Sequence, residues 1–238
     1  MDTTHKHVWL RKDNELICEC GKTKLFLDFS NEEVAIGIKS DGREYSVRSN
    51  RDRILNPDEW FNLLSNLKEH QVFTFKVLLL TGARINEAQH IKVEDIDFPN
   101  QRLVLKVTKR RHGDNIQNKS KTRTIRVSRE LIKDLRKVIN DNNLNRENEL
   151  GLLSQPAAHK ALKKALEKAK VKDYKMLSIH SIRKTSENWA LSIGVDSMKL
   201  STRFGHNLIT QYEHYSQSDS FTPKEKEQIR QIYGDTFI

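Results

Sequence analysis

The stretch HQVFTFKVLLLTGAR, His70 to Arg84, constrains this chain more than any other. Its apolar residues fall on more than one face of a helix over about Gln71 to Thr81, so that helix belongs inside a body rather than on its surface. Gly82 is placed to stop it. Such a helix needs partners, and helical patterns flank it. Asn56 can cap a helix that opens with Pro57, and Trp60, Leu63, Leu64 and Leu67 recur at i, i+3, i+4, i+7. A third helix is expected from Arg84 to about Lys92.

RLVLKVTKR and TRTIRVS then read as two strands joined by the polar segment from Arg111 to Lys119, a β-hairpin with a long turn. Ser128 can cap a helix whose buried stripe is Leu131, Ile132, Leu135, Val138 and Ile139. Further helices are expected over about Ser154 to Lys170, His180 to Ile193 with Gly194 as the stop, and Asp196 to Arg203. Thr222-Pro223-Lys224-Glu225 is a capping-box start for a last one, placed at 222–234. Before Asn56 the period changes: KLFLDF and EVAIGIKS, broken by Asp41-Gly42, alternate as short strands. The expected fold class is mainly α with a small antiparallel β-hairpin or sheet over 51–238, preceded by a small β-rich segment over 1–50.

Lys and Arg number 42 against 32 Asp and Glu, a formal net charge of +10, which suits a polyanionic partner such as nucleic acid or an anionic membrane. A spanning helix is excluded by the shortness of the longest strongly apolar run, Val77 to Leu80, and the first residues carry no apolar signal core. A cytoplasmic protein is expected. Cys18 and Cys20 are too few and too close for a disulfide framework. With His5 and His7 they offer ligand types suited to zinc, yet C-x-C is cramped beside the usual C-x2-C. The favoured reading is a small β-unit with two free thiols.

Four segments carry chemistry together: TGARINEAQHI, NKSKTRTIRV, HSIRK and GHNLITQYEHY. Taken singly, Arg84 reads as a solvated arginine, Lys119 and Lys121 as charge in a turn, and His180 with Arg183 as a capping pair. Their order changes this. Arg84, Lys119, His180-x-x-Arg183, His206 and Tyr215 resemble the catalytic set of the tyrosine site-specific recombinases, the phage-type integrases. The resemblance runs from about Ile54 to Gln217 and includes a T-G-x-R-x-x-E segment ending at Glu87, an H-x-x-R cluster and a Phe204-Gly205-His206 segment. The family's nucleophile lies nine residues after that histidine, which selects Tyr215 over Tyr212.

The resemblance implies a strand transfer in which the phenolic oxygen of Tyr215 holds the DNA phosphate covalently. Arg84 and Arg183 would grip the phosphoryl oxygens. His206 would add a hydrogen bond, His180 would take or shuttle a proton, and a hairpin lysine would protonate the departing 5′ oxygen. By family position that lysine is Lys119, with Lys121 also within reach. Glu87 would buttress Arg84. No metal or other cofactor is implied, and Glu94, Asp95 and Asp97 read as capping residues.

Lys106, Lys109, Arg110, Arg111, Lys121, Arg123 and Arg126 form a basic strip near the hairpin, expected to contact phosphates of double-stranded DNA. The resemblance also implies a homo-tetramer on DNA in which the segment from Phe221 passes to a neighbouring subunit, so that its removal affects assembly more than folding. A DNA-binding accessory protein without catalysis and a type IB topoisomerase are the alternatives. The family usually carries a helical core-binding domain before the catalytic one, where this chain has its strand-like residues.

Overall fold

The computed structural model describes five short strands within residues 1–52 and, beyond them, residues 53–106, 122–205 and 221–237. The chain divides into two units, 1–52 and 53–238. In the first, β1 (Trp9–Lys12), β2 (Glu15–Cys18) and β3 (Thr23–Leu25) form an antiparallel meander, and β4 (Ile36–Ile38) pairs antiparallel with β5 (Glu44–Ser46). Cys18 ends β2, whereas His5, His7 and Cys20 lie outside the described residues.

The second unit is mainly helical. Its first helix, α1 (Pro57–Ser65), begins as its sequence requires: the Asn56 side chain accepts from the Glu59 amide at 3.0 Å, and Glu59 accepts from the Asn56 amide at 3.1 Å. Trp60 and Leu63 are buried, with Leu64 and Leu67 packed beside them. The apolar helix α2 (Glu69–Thr81) is central, packing on α6 (Ile179–Ser192), α4 (Arg129–Asp141) and α5 (Gln155–Lys168). Phe75 and Val77 to Leu80 lie in the core, where Trp60 meets Trp189 edge-on at 6.4 Å.

Helix α3 (Ile85–Gln89) stops short of the expected Lys92. From Ile91 the backbone pairs instead with the α4–α5 connection: Leu150 N donates to Ile91 O at 3.0 Å, Val93 N to Asn148 O at 3.1 Å and Glu94 N to Arg146 O at 2.9 Å. These partners, more than fifty residues away in the chain, outcompete one further helical turn. A sheet of order β6-β7-β8 follows, from β6 (Ile96–Asp97), β7 (Arg102–Lys106) and β8 (Thr122–Arg126), all antiparallel. Leu103 faces Ile125 and Leu105 faces Arg123 across β7 and β8. Two acidic residues cap as expected: Asp95 accepts from the Lys92 amide at 3.0 Å and Asp97 from the Asn100 amide at 3.2 Å.

Ser128 caps α4, accepting from Leu131 N at 3.2 Å. Leu131, Ile132 and Leu135 are buried, and Val138 and Ile139 are half-buried. Helix α6 is enclosed almost all round: every residue from Ser181 to Ala190 is buried. After α7 (Ser197–Phe204) and the undescribed 206–220, α8 (Pro223–Tyr233) is capped by Thr222 and lies on α6 and α1 of the same chain. Ile229, Tyr233 and Thr236 are buried there. The Tyr233 hydroxyl donates to Ser186 O at 2.7 Å, and burial pushes its pKa up. The segment from Phe221 thus supplies part of this chain's own core, and removing it strips folding contacts as well as any it makes with a neighbour.

Among the described residues no helix is long and apolar enough to cross a membrane.

Candidate active site

The site begins where α2 ends. Thr81 Oγ1 donates to Val77 O at 2.6 Å and accepts from Ala83 N at 3.1 Å, closing the turn on itself. Gly82 adopts φ of 63°, and a Cβ there would stand 2.4 Å from Phe204 Cε1. Both the backbone and the space therefore require glycine. This turn presents Arg84 as the residue capping α3.

Glu87 is the anchor of Arg84. Its Oε2 accepts the Arg84 amide at 2.9 Å, and its Oε1 accepts Arg84 Nη1 at 2.7 Å. The carboxylate is buried at 2% exposure, while the Arg84 side chain is one third exposed at 33%. Burial pushes the Glu87 pKa up, but hydrogen bonds and charge from Arg123, then from Arg84, outweigh it and hold it at about 2. Glu87 is thus a fixed anion. Among the described residues it is the one side-chain hydrogen-bond partner of the Arg84 guanidinium, which is engaged through Nη1 and stays one third exposed.

Arg183 is held differently. It sits in the second turn of α6, one turn after the exposed His180, and is only 2% exposed. Its Nη1 donates to Gly82 O at 2.5 Å, its Nη2 donates to Phe204 O, and its guanidinium lies 5.0 Å from the Phe204 ring centroid. One side chain therefore joins the turn that carries Arg84 to the end of α7, which runs into His206 through Gly205. The turn that carries Arg84, the side chain of Arg183 and the end of α7 at Phe204 are thereby brought together although they come from three separate parts of the sequence, with His180 exposed one helical turn before Arg183.

The basic strip divides. Arg126 points outward and is exposed, and Lys106 is 41% exposed while paired with Asp95 at 2.8 Å. Arg123 differs from the expectation of a phosphate-facing residue. Its side chain is 8% exposed, with Nη2 at 2.6 Å from Glu87 Oε2 and Nη1 at 3.2 Å from Glu87 Oε1. The physical reason is the strand's period of two, which puts Arg123 on the inward face with Ile125. Lys109, Arg110, Arg111, Lys119, Lys121, His206, Tyr212 and Tyr215 lie outside the described residues.

Arg203 is a residue that sequence reasoning passed over. It is 9% exposed, donates from Nη1 to Arg126 O at 2.7 Å and from Nη2 to Leu80 O at 2.6 Å, and lies over Phe237 at 5.1 Å. Burial lowers its pKa to about 10, so it stays charged at neutral pH. The signal was available: Leu200, Arg203 and Phe204 share one helical stripe at i, i+3, i+4.

Comparison with known proteins bears on the family and the fold. Residues 53–220 match the sequence profile of the phage integrase family. No curated protein matches. Solved structures do: the XerA recombinase, with TM-score 0.55 and 18% identity over 76% of this chain and 65% of that one. The Tn1549 transposon integrase, solved in complex with transposon right end DNA, gives TM-score 0.57 and 19% identity over 81% and 69%. The integrase from mycobacterium phage Brujita gives 0.52 and 18% over 80% and 61%. This chain spans about two thirds or less of the XerA and Brujita chains. At these identities the likeness establishes the fold.

Proposed function

The chain belongs to the phage integrase family, and on that premise we propose that it is a tyrosine recombinase that cleaves and rejoins double-stranded DNA through a 3′-phosphotyrosyl intermediate on Tyr215. The observation that carries this reading is the convergence of Arg84 and Arg183 beside the backbone that leads into His206, with Arg183 bonded to Gly82 O and Phe204 O. Two guanidinium groups anchored independently, one on a carboxylate and one on backbone carbonyls at the turn before Arg84, suit the equatorial oxygens of a phosphoryl group in transfer.

In the proposed step the Tyr215 oxygen attacks phosphorus as the bond to the 5′ oxygen breaks. The phenol, with an ordinary pKa of about 10, gives its proton to His180, and Lys119 or Lys121 gives one to the departing 5′ oxygen. Arg84, Arg183 and His206 hold the oxygens on which charge gathers. Attack by the 5′ hydroxyl of another strand reverses each transfer and releases the tyrosine, so no water, metal or nucleotide is consumed. The exposed Arg126 and Lys106 lie on the strip that would meet the duplex backbone.

Recombination of two duplexes needs four active tyrosines, and a homo-tetramer on DNA supplies them. Passage of Phe221 to Ile238 to a neighbour would first undo the Tyr233–Ser186 contact that holds α8 on its own chain.

The test is covalent trapping. A pool of nicked duplexes with a randomised core is incubated with the protein, and denaturant-resistant adducts are isolated and their DNA sequenced. The wild type and Tyr212→Phe are expected to form adducts and Tyr215→Phe to form none. An adduct mapped to Tyr212, or none at all from the wild type, rejects the assignment.

A further inference from the structure

The proposed mechanism leaves Arg123 unused, although it is the most thoroughly buried cation of the hairpin strands. Its two Nη groups take both oxygens of Glu87 in a fork, at 3.2 and 2.6 Å. Arg84 is left with the flank of the same carboxylate, through one Nη1 at 2.7 Å and its amide at 2.9 Å. On its other side Arg123 lies against the α7 terminus: a Cβ on Gly205 would stand 3.5 Å from Arg123 Nη1 and 3.6 Å from its Cδ. It stands in β8, the strand into which the segment of Lys119 and Lys121 runs.

Resting on the recombinase reading above, we infer that Arg123 is a positioning residue: by occupying the fork of Glu87 it keeps Arg84 turned toward the phosphate and locks β8 to the turn that carries Arg84 and to Gly205, the residue before His206 in the chain. The argument is one of competition. A carboxylate and a guanidinium pair best end-on through two parallel hydrogen bonds. With Arg123 in that place, Arg84 can hold Glu87 only from the side. Without it, the unshared carboxylate recruits Arg84 into the fork and withdraws it from substrate.

The arrangement is not explained by stability. Among the described residues Arg123 Nε is buried with no acceptor, and a buried ion pair returns little beyond its own desolvation. Nor is it a phosphate contact: its charge is already matched by a carboxylate, whereas the carbonyls that Arg183 bonds are neutral and cancel none of its charge. What remains is geometry: one residue that meets the Arg84 anchor, the turn into His206 and the hairpin strand.

The experiment uses the full chain and a nicked duplex enriched in the trapping assay. It compares wild type, Arg123→Gln, Arg123→Lys, Glu87→Gln and the Arg123→Gln/Glu87→Gln pair. Single-turnover adduct formation at saturating DNA is measured beside DNA affinity and its salt dependence. Arg123→Gln is expected to slow adduct formation about 100-fold, the scale of a small misplacement of a catalytic group, with affinity unchanged. The double variant is expected to react faster than Arg123→Gln alone, because a neutral amide at position 87 no longer draws Arg84 in. Arg123→Lys keeps the charge and is expected to recover part of the rate, which keeps the test open should Arg123→Gln fold poorly.

An unchanged rate in Arg123→Gln overturns the inference. So does a loss seen only as weaker binding with a shallower salt slope, the mark of a phosphate contact, or a double variant slower than either single one, the mark of general damage. Absence of any wild-type adduct rejects the recombinase reading and this inference with it, whereas a normal wild type with a normal Arg123→Gln rejects the inference alone.

Discussion

Two regions of the site hold an arginine in opposite ways. On α6, Arg183 is 2% exposed and bonded to neutral carbonyls, between the ends of α2 and α7. At the start of α3, Arg84 is 33% exposed and tied to an anion it shares with Arg123. The first guanidinium is part of the floor, and removing it leaves two carbonyls and a hole. The second is poised at the rim, where its direction depends on how a carboxylate is divided. One region is sensitive to packing and the other to charge.

The largest expected effect breaks the floor. Arg183→Ala should cost about 3–5 kcal/mol through the cavity and the unpaired carbonyls, read as a lowered midpoint in urea unfolding, and should abolish adduct formation. An Arg183 variant of native stability would show that the floor does not depend on it. Gly82→Ala follows, at about 2–4 kcal/mol, because its methyl meets the Phe204 ring while φ stays positive. If this variant unfolds like the wild type, the turn has more room than its 2.4 Å approach allows.

The rim should answer to pH. The Glu87 pKa of about 2 lies below its ordinary 4.5, so its contribution is full above pH 4.5 and is lost as pH falls through 2. Glu87→Gln should cost about 2–4 kcal/mol at neutral pH, since Arg123 is then a buried cation without its partner. Its stability should also vary less than that of the wild type between pH 4.5 and 2. Equal slopes for the two proteins would remove Glu87 from the account.

The smallest effect belongs to the outer face of the strip. Arg126→Ala should change stability by less than about 0.5 kcal/mol. It should lower the slope of log affinity against log salt by about 1, and an unchanged slope would take Arg126 off the DNA path.

The helix ends were legible in sequence because they are set locally. Asn56, Ser128 and Thr222 cap within three residues of themselves, and Gly82 stops α2 by its own φ. The short α3 and the two-residue β6 were not, because their partners, Asn148 to Leu150 and Leu103, are chosen by tertiary packing. Within the site, Glu87 could be read as the buttress of Arg84 from the family resemblance, with which the three-residue spacing agrees. Arg123 was assigned by its charge when its alternation with Ile125 already placed it indoors. A cation that falls on the apolar face of a strand asks first for a buried anion and only then for DNA.

The contact between Leu55 and α6 has a consequence in time. Leu55 N donates to Thr185 Oγ1 at 2.9 Å and Leu55 O accepts from Trp189 Nε1 at 2.9 Å, pairings separated by 130 and 134 residues of chain. On a ribosome adding about 5–20 residues per second, the beginning of this unit waits roughly 7 to 27 s for its partner to be made. The helix that carries His180 and Arg183 is the one awaited. The nascent chain therefore closes this contact and gains Arg183 in the same late event, and a product cut short before α6 has neither.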